Sequence, residues 1–168
     1  MVSLPRQVEQ VATALAQRGW KLATAESCTG GGIAAALTER SGSSAWFERG
    51  FVTYSNASKI ALLNVQQSTL DKHGAVSEAV AREMAVGALG NSAAQVTLSV
   101  TGVAGPDGGT AEKPVGMVCF GWAGPGAACR VETRQLTGDR QQIRLQATIH
   151  ALSGLLSWLA EHPSSAMQ

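Results

Sequence analysis

The stretch that decides the fold is WKLATAESCTGGGIAAAL, residues 20–37. Its first part, residues 20–25, is predicted to be a β-strand. Residues 26–32, ESCTGGG, predict a tight turn, because glycine adopts backbone conformations that other residues avoid. Apolar side chains then recur at helical spacing, at Ile33, Ala36 and Leu37. This strand, glycine-rich turn and helix form a βα unit, which is typical of sheets with parallel strands.

The rest of the chain adds elements around this unit. We predict helices at about residues 5–18, 55–63, 68–72 and 77–90 and from Asp139 onward, and strands at 49–54, 95–100, 117–122 and 130–136. The last two strands are expected to pair antiparallel. The predicted fold is therefore an α/β protein, a three-layer α/β/α sandwich with a mixed, mainly parallel sheet. We expect one domain over residues 1–162 and a flexible tail at 163–168.

Charge and length limit the function. The 168 residues carry 13 Lys and Arg against 12 Asp and Glu, so neither a nucleic-acid groove nor an anionic membrane surface has electrostatic support. Stretches without a polar side chain, such as residues 30–37, are too short to cross a bilayer. The three cysteines are odd in number, which fits a reducing compartment, and they lack the CxxC spacing typical of a zinc cluster. We expect a cytoplasmic protein that binds no nucleic acid and no membrane.

The turn after the first strand is the first candidate for chemistry. Backbone N–H groups and the start of the following helix favour an anion there, whether a phosphate or an oxyanion. Ser27 is either a nucleophile or an ordinary helix cap. Cys28 is a rival nucleophile, although small cysteines beside a sheet are more often buried packing residues.

A serine nucleophile needs a base, and the three histidines are scattered along the chain. The alternative base is Lys59, in the helix after the second strand. It serves only if burial or a neighbouring cation lowers its pKa from about 10.4; otherwise it is a solvated helix lysine. In a parallel βα fold both turns open on the carboxyl edge of the sheet, where ligands bind, so a dyad of Ser27 and Lys59 fits the topology.

A long loop, residues 101–116, holds five glycines and two prolines. Loops of this length in a small domain are often functional, so we predict that it lines the site; the alternative is a rigid connector between two strands.

Several sequence blocks together resemble the CinA C-terminal domain family, and they occur in family order from about residue 8 to residue 160. They are AESCTGG at 25–31, YSN at 54–56 with Lys59, HGAVS at 73–77, TGVAGPDGG at 101–109, KPVG at 113–116 and GDR at 138–140. The chain is most similar to the stand-alone members. That resemblance implies hydrolysis of nicotinamide mononucleotide to nicotinate mononucleotide and ammonia, a step of pyridine nucleotide recycling, without a cofactor or a metal.

The resemblance also implies roles for individual residues. Ser27 is expected to be the nucleophile and Lys59 the general base, with Tyr54 orienting one of them. The expected substrate-binding residues are Thr29, Gly30, Gly31, Asn56, Thr101, Gly102 and Arg140, with Arg140 a partner for the phosphate. The oxyanion is expected to accept hydrogen bonds either from the backbone N–H groups of residues 28–31 or from those of the 101–102 turn.

Other implications concern the whole protein. Family members suggest a homodimer or a larger homo-oligomer. The second domain of two-domain members, associated with ADP-ribose pyrophosphatase activity, has no counterpart in these blocks, and that activity is not expected. The competing hypothesis is a non-catalytic binding module linked to competence or DNA damage, which would have no use for the dyad.

Overall fold

The computed structural model describes residues 2–163. Its strands are β1 (Leu22–Glu26), β2 (Phe47–Val52), β3 (Val96–Gly102), β4 (Met117–Ala123) and β5 (Cys129–Gln135). Its helices are α1 (Leu4–Arg18), α2 (Gly32–Thr38), α3 (Asn56–Leu63), α4 (Gln67–His73), α5 (Glu78–Gly90) and α6 (Arg140–Glu161). Short 3₁₀ turns occur at Ser43–Ala45 and Pro125–Ala127. The predicted tail at 163–168 lies, apart from Pro163, outside the described residues.

The five strands form one sheet in the order β2-β1-β3-β4-β5. β1 is parallel to both of its neighbours, whereas β4 is antiparallel to β3 and β5. β4 is thus the one strand of this sheet that runs against the others, which confirms the mixed, mainly parallel prediction. The carboxyl ends of β1, β2, β3 and β5 therefore meet at a single edge.

The helices cover both faces of the sheet. Apolar residues of α1, α2 and α6, such as Val11, Ile33 and Leu155, form one buried cluster with the sheet. Residues of α3, α4 and α5, such as Leu63 and Met84, form the other. The predicted three-layer sandwich is confirmed.

Helix α5 lies close against the sheet. Thr97 and Ser99 of β3 donate hydrogen bonds to carbonyls of α5, at 2.7 and 2.6 Å. A Cβ on Gly121 of β4 would lie 2.7 Å from the Ala81 carbonyl oxygen, so only glycine allows this approach. This packing holds β3, and with it the carboxyl edge, in a fixed position.

The predicted C-terminal residue of α3 and the predicted N-caps of α5 and α6 are confirmed. Asn64 ends α3 in the left-handed conformation, Ser77 caps α5 and Asp139 forms a capping box with Gln142 at the start of α6. These signals are local in sequence. No helix within residues 2–163 combines the length and the apolar character that crossing a bilayer requires.

Several predicted boundaries are wrong: β2 begins at Phe47, before the expected 49, and β3 ends at Gly102, so residues 101–102 belong to the strand and not to the long loop. β1 begins at Leu22 because the N–H of Trp20 still bonds to the Leu15 carbonyl in the cap of α1. Helix α2 ends at Thr38, before the expected 41–42. β2 ends at Val52, since Ser55 already caps α3, so Tyr54 follows the strand and is not part of it.

Candidate active site

A cavity of about 280 Å³ opens at the carboxyl edge of the sheet. It lies among the turn after β1, the segment after β2, the loop after β3 and the start of α6. Seven of the ten predicted site residues line it, namely Ser27, Tyr54, Asn56, Lys59, Thr101, Gly102 and Arg140. A larger groove of about 550 Å³ between α1 and α2 contains none of these seven, and its lining is mainly apolar. We therefore place the candidate site at the smaller cavity.

Ser27 and Lys59 meet at the base of this cavity. Ser27 is the first residue after β1 and is 7% exposed, and Lys59 is 1% exposed. The Lys59 Nζ and the Ser27 Oγ are 3.0 Å apart. The parallel pairing of β1 and β2 brings the two βα turns side by side, so residues 32 positions apart come into hydrogen-bond contact.

The burial of Lys59 makes its amine easier to deprotonate. Its Nζ lies 2.9 Å from the Thr53 carbonyl and 3.3 Å from the Tyr54 carbonyl. Burial lowers the pKa of Lys59 below its ordinary value of 10.5, against a smaller opposing effect of Cys28. None of the ion pairs among residues 2–163 involves Lys59. When neutral, the amine can donate two N–H bonds to the carbonyls and accept the Ser27 hydroxyl with its lone pair.

Cys28 is unsuited to nucleophilic attack. Its side chain is buried, and burial raises the pKa of its thiol to about 12. At neutral pH it is a thiol, whereas the reactive form is the thiolate. The structure thus favours Ser27 over Cys28.

The outer part of the cavity is polar and open. Arg140 donates to the Gly105 carbonyl at 2.9 Å and to the Tyr54 hydroxyl at 3.2 Å. The Tyr54 side chain is 62% exposed, and its hydroxyl contacts Arg140 and neither member of the dyad. The early end of β2 explains this position. Tyr54 reaches Lys59 through its backbone carbonyl.

Thr101 lies deeper in the cavity. It is buried at the end of β3, and its hydroxyl donates to the Ala75 carbonyl at 2.9 Å. This bond ties the third strand to the segment before α5, so Thr101 fixes one wall of the cavity.

Three predicted substrate-binding residues do not line the cavity. Thr29 is buried, and its hydroxyl bonds to Glu26 at 2.6 Å. Gly30 and Gly31 have φ values of 60° and 96°, the left-handed region that favours glycine. All three shape the turn that carries Ser27: the Thr29 hydroxyl is turned to Glu26, and the two glycines supply the left-handed backbone of the turn.

Sequence reasoning missed two charged residues that contact this turn. Glu26 bonds to it from the end of β1, and Arg144 bonds to it from α6. The available signal for Arg144 was its place four residues after Arg140, on the same helix face. For Glu26 no local pattern exists, because its backbone partners lie seven and eight residues further on.

Comparison with known proteins gives matches over most of the chain. The model of the CinA C-terminal domain matches residues 5–159. The chain is 54% identical to the nicotinamide-nucleotide amidohydrolase PncC of Enterobacter agglomerans, over 88% of this chain and 90% of that protein. It is 52% identical to the protein of the same name from Escherichia coli K12, over 88% and 89%.

Solved structures agree with this match. The competence/damage inducible protein CihA from Agrobacterium tumefaciens has a TM-score of 0.89 and 43% identity, covering 92% of this chain and 94% of its own. The competence damage-inducible protein A from Klebsiella pneumoniae has a TM-score of 0.93 and 38% identity, covering 96% and 100%.

Proposed function

This chain belongs to the CinA C-terminal domain family, and from that premise we propose that it is a nicotinamide-nucleotide amidohydrolase with Ser27 as nucleophile and Lys59 as base. The substrates are nicotinamide mononucleotide and water, and the products are nicotinate mononucleotide and ammonia. The names of the curated relatives support the reaction. One observation supports the dyad above all others: a buried lysine amine 3.0 Å from a serine hydroxyl.

The first step forms an acyl-enzyme. Neutral Lys59 takes the proton of the Ser27 hydroxyl, and the Oγ attacks the carboxamide carbon. The new C–O bond forms as the carbonyl electron pair moves to oxygen. The cationic pyridinium of the substrate withdraws electrons from this carbon, so attack by a serine is favoured.

The oxyanion needs N–H donors close to Ser27. The Ser27 carbonyl accepts the Gly30 N–H at 3.0 Å. Because the peptide is planar and trans, the N–H of Cys28 points away from that bond. Cys28 follows the nucleophile and lines the cavity, so its backbone N–H is the donor that this geometry favours.

Ammonia leaves when the tetrahedral intermediate collapses. The C–N bond breaks while protonated Lys59 gives its proton to the departing nitrogen. Lys59, neutral again, then takes a proton from water, whose oxygen attacks the acyl carbon. The second tetrahedral intermediate collapses as the bond between the acyl carbon and the Ser27 Oγ breaks, and Lys59 returns its proton to that oxygen. The carboxylic acid formed loses its proton to solvent, and nicotinate mononucleotide is released.

The shape of the cavity gives the substrate an orientation. The carboxamide must reach the buried dyad, which leaves the ribose and phosphate toward the open end. Arg140 lies there, and a guanidinium bonds well to phosphate oxygens. Asn56 and Tyr54 also line the cavity.

Two properties of the whole protein belong to this proposal. Its cysteines are free in the described structure, which is typical of a reducing, cytoplasmic compartment. β2 is an edge strand with exposed Val52 at its end, which fits a homo-oligomer. Light scattering on the purified protein measures the assembly directly.

The proposed function is tested by ammonia release from nicotinamide mononucleotide. We expect Ser27→Ala to lower kcat by at least about 1,000-fold, because it removes the nucleophile. Ser68→Ala, at an exposed position on α4, is the matched control and should retain full activity. A wild-type protein without activity, or an active Ser27→Ala, contradicts the proposal. Capture of a stable protein partner by an inactive wild type would instead support the binding module.

A further inference from the structure

The buried side chain of Glu26 hydrogen-bonds to the turn that carries Ser27 and to the start of α2. This residue ends β1 and is fully buried. Its carboxylate accepts the Thr29 hydroxyl at 2.6 Å, the Ile33 N–H at 2.9 Å and the Ala34 N–H at 3.1 Å. The N-cap residue of helix α2 is Gly31, which has no side chain to cap the helix. Glu26 therefore supplies the cap that α2 lacks, and joins the turn to the helix that follows.

A second charged residue holds the same turn through its carbonyls. Arg144, on α6, donates from Nε to the Cys28 carbonyl and from Nη2 to the Thr29 carbonyl, both at 3.1 Å. A Cβ on Gly30 would lie 3.1 Å from the Arg144 Nη2, so the guanidinium packs directly against this glycine. The planar fork of arginine makes two such bonds at once, which lysine cannot reproduce.

The two residues act on complementary groups. Glu26 accepts from a hydroxyl and from N–H groups, whereas Arg144 donates to C=O groups. Between them, the N–H of Ser27 bonds to the Val100 carbonyl of β3 at 3.0 Å. Neither Glu26 nor Arg144 lines the cavity. Any effect on the reaction must therefore pass through the turn.

We propose that Glu26 and Arg144 are positioning residues that hold this turn where the Ser27 Oγ meets Lys59 and the Cys28 N–H meets the oxyanion. The inference rests on the proposed function. A shift of about 1 Å in a reacting group can lower the rate by about 100-fold. A turn held only by its own backbone bonds would place the Ser27 Oγ less accurately, and the enzyme would be slower.

The kinetic test compares Arg144→Met and Glu26→Gln with matched controls. Arg6→Met removes an exposed arginine of α1, and Glu39→Gln removes an exposed carboxylate after α2. We expect kcat for nicotinamide mononucleotide to fall by about 10- to 100-fold in the two test variants and to stay unchanged in the controls. Arg144→Lys should recover little, because it keeps the charge without the fork.

A binding measurement separates positioning from general damage to the fold. In a Ser27→Ala background, the Kd for nicotinamide mononucleotide should change by less than about threefold when Arg144→Met or Glu26→Gln is added, because neither side chain lines the cavity. A Kd that weakens as much as kcat falls overturns the inference, since the whole cavity is then disturbed. A kcat equal to that of the wild type overturns it as well.

Crystal structures of the wild type and of Arg144→Met supply a readout that needs no turnover. We expect the distance between the Ser27 Oγ and the Lys59 Nζ to increase beyond hydrogen-bond reach in the variant. An unmoved turn refutes the positioning role even if the enzyme is active. A displaced turn in a protein whose wild type lacks activity supports the positioning role and refutes the proposed function, so the two failures are distinct.

Discussion

The two ends of the cavity differ in burial and in what their side chains contact. We define the floor as Ser27, Lys59 and Thr101, and the rim as Tyr54, Asn56 and Arg140. Floor side chains are buried and bond to groups of the protein. On the rim, Arg140 and Tyr54 bond across the open end, and Tyr54 is largely exposed.

This difference assigns different tasks to the two ends. A buried amine has a lowered pKa and a fixed direction, which proton transfer requires. An exposed guanidinium keeps its charge and reaches a phosphate without much desolvation. Changes in the floor should therefore lower kcat, and changes at the rim should raise KM.

The strongest test of the floor is Lys59→Met. Methionine is unbranched and fills a similar space, so the fold should be kept while the base is lost. We expect kcat to fall by about 1,000-fold or more, with KM within about threefold of the wild type. Lys72→Met, at an exposed position of α4, is the control. Steady-state ammonia release measures both constants. A Lys59→Met variant with more than a tenth of wild-type kcat would assign the base elsewhere.

The floor should also impose a pH dependence. Lys59 acts as a base when neutral, and burial lowers its pKa below 10.5. Activity should therefore rise about tenfold per pH unit up to that lowered pKa and level off above it. The measurement is kcat at saturating substrate between pH 7 and 10.5, with an enzyme-free blank and circular dichroism to confirm folding. If the rising part of the pH profile of kcat had its midpoint at or above pH 10.5, burial would not lower the pKa of Lys59.

Local sequence signals predicted the fold well. The strand, turn and helix of residues 20–37, and the caps at Ser77 and Asp139, are recognised from residues a few positions apart, so pattern and capping chemistry were sufficient to predict them. The alternating pattern of residues 49–54 predicts an end of β2 that is too late, because Ser55 already caps α3.

The site was predictable only where topology links distant segments. Parallel βα units place successive turns on one edge, and this rule suggested the contact of Ser27 with Lys59. The supports of the turn follow no such rule: Arg144 bonds to carbonyls 115 and 116 residues earlier in the chain. Such contacts depend on how α6 crosses the sheet, and sequence periodicity does not record that crossing.

The smallest kinetic effect is expected for a rim variant, Arg140→Met. Loss of charge-assisted bonds to a phosphate should raise KM for nicotinamide mononucleotide by about tenfold and leave kcat within about threefold. The KM for nicotinamide riboside, which lacks the phosphate, should be the same in Arg140→Met as in the wild type. The control Arg134→Met, at an exposed position of β5, should change the KM for neither substrate. If Arg140→Met instead lowers kcat equally for both substrates, its bonds to Tyr54 and Gly105 matter for chemistry, and the division into floor and rim fails at this residue.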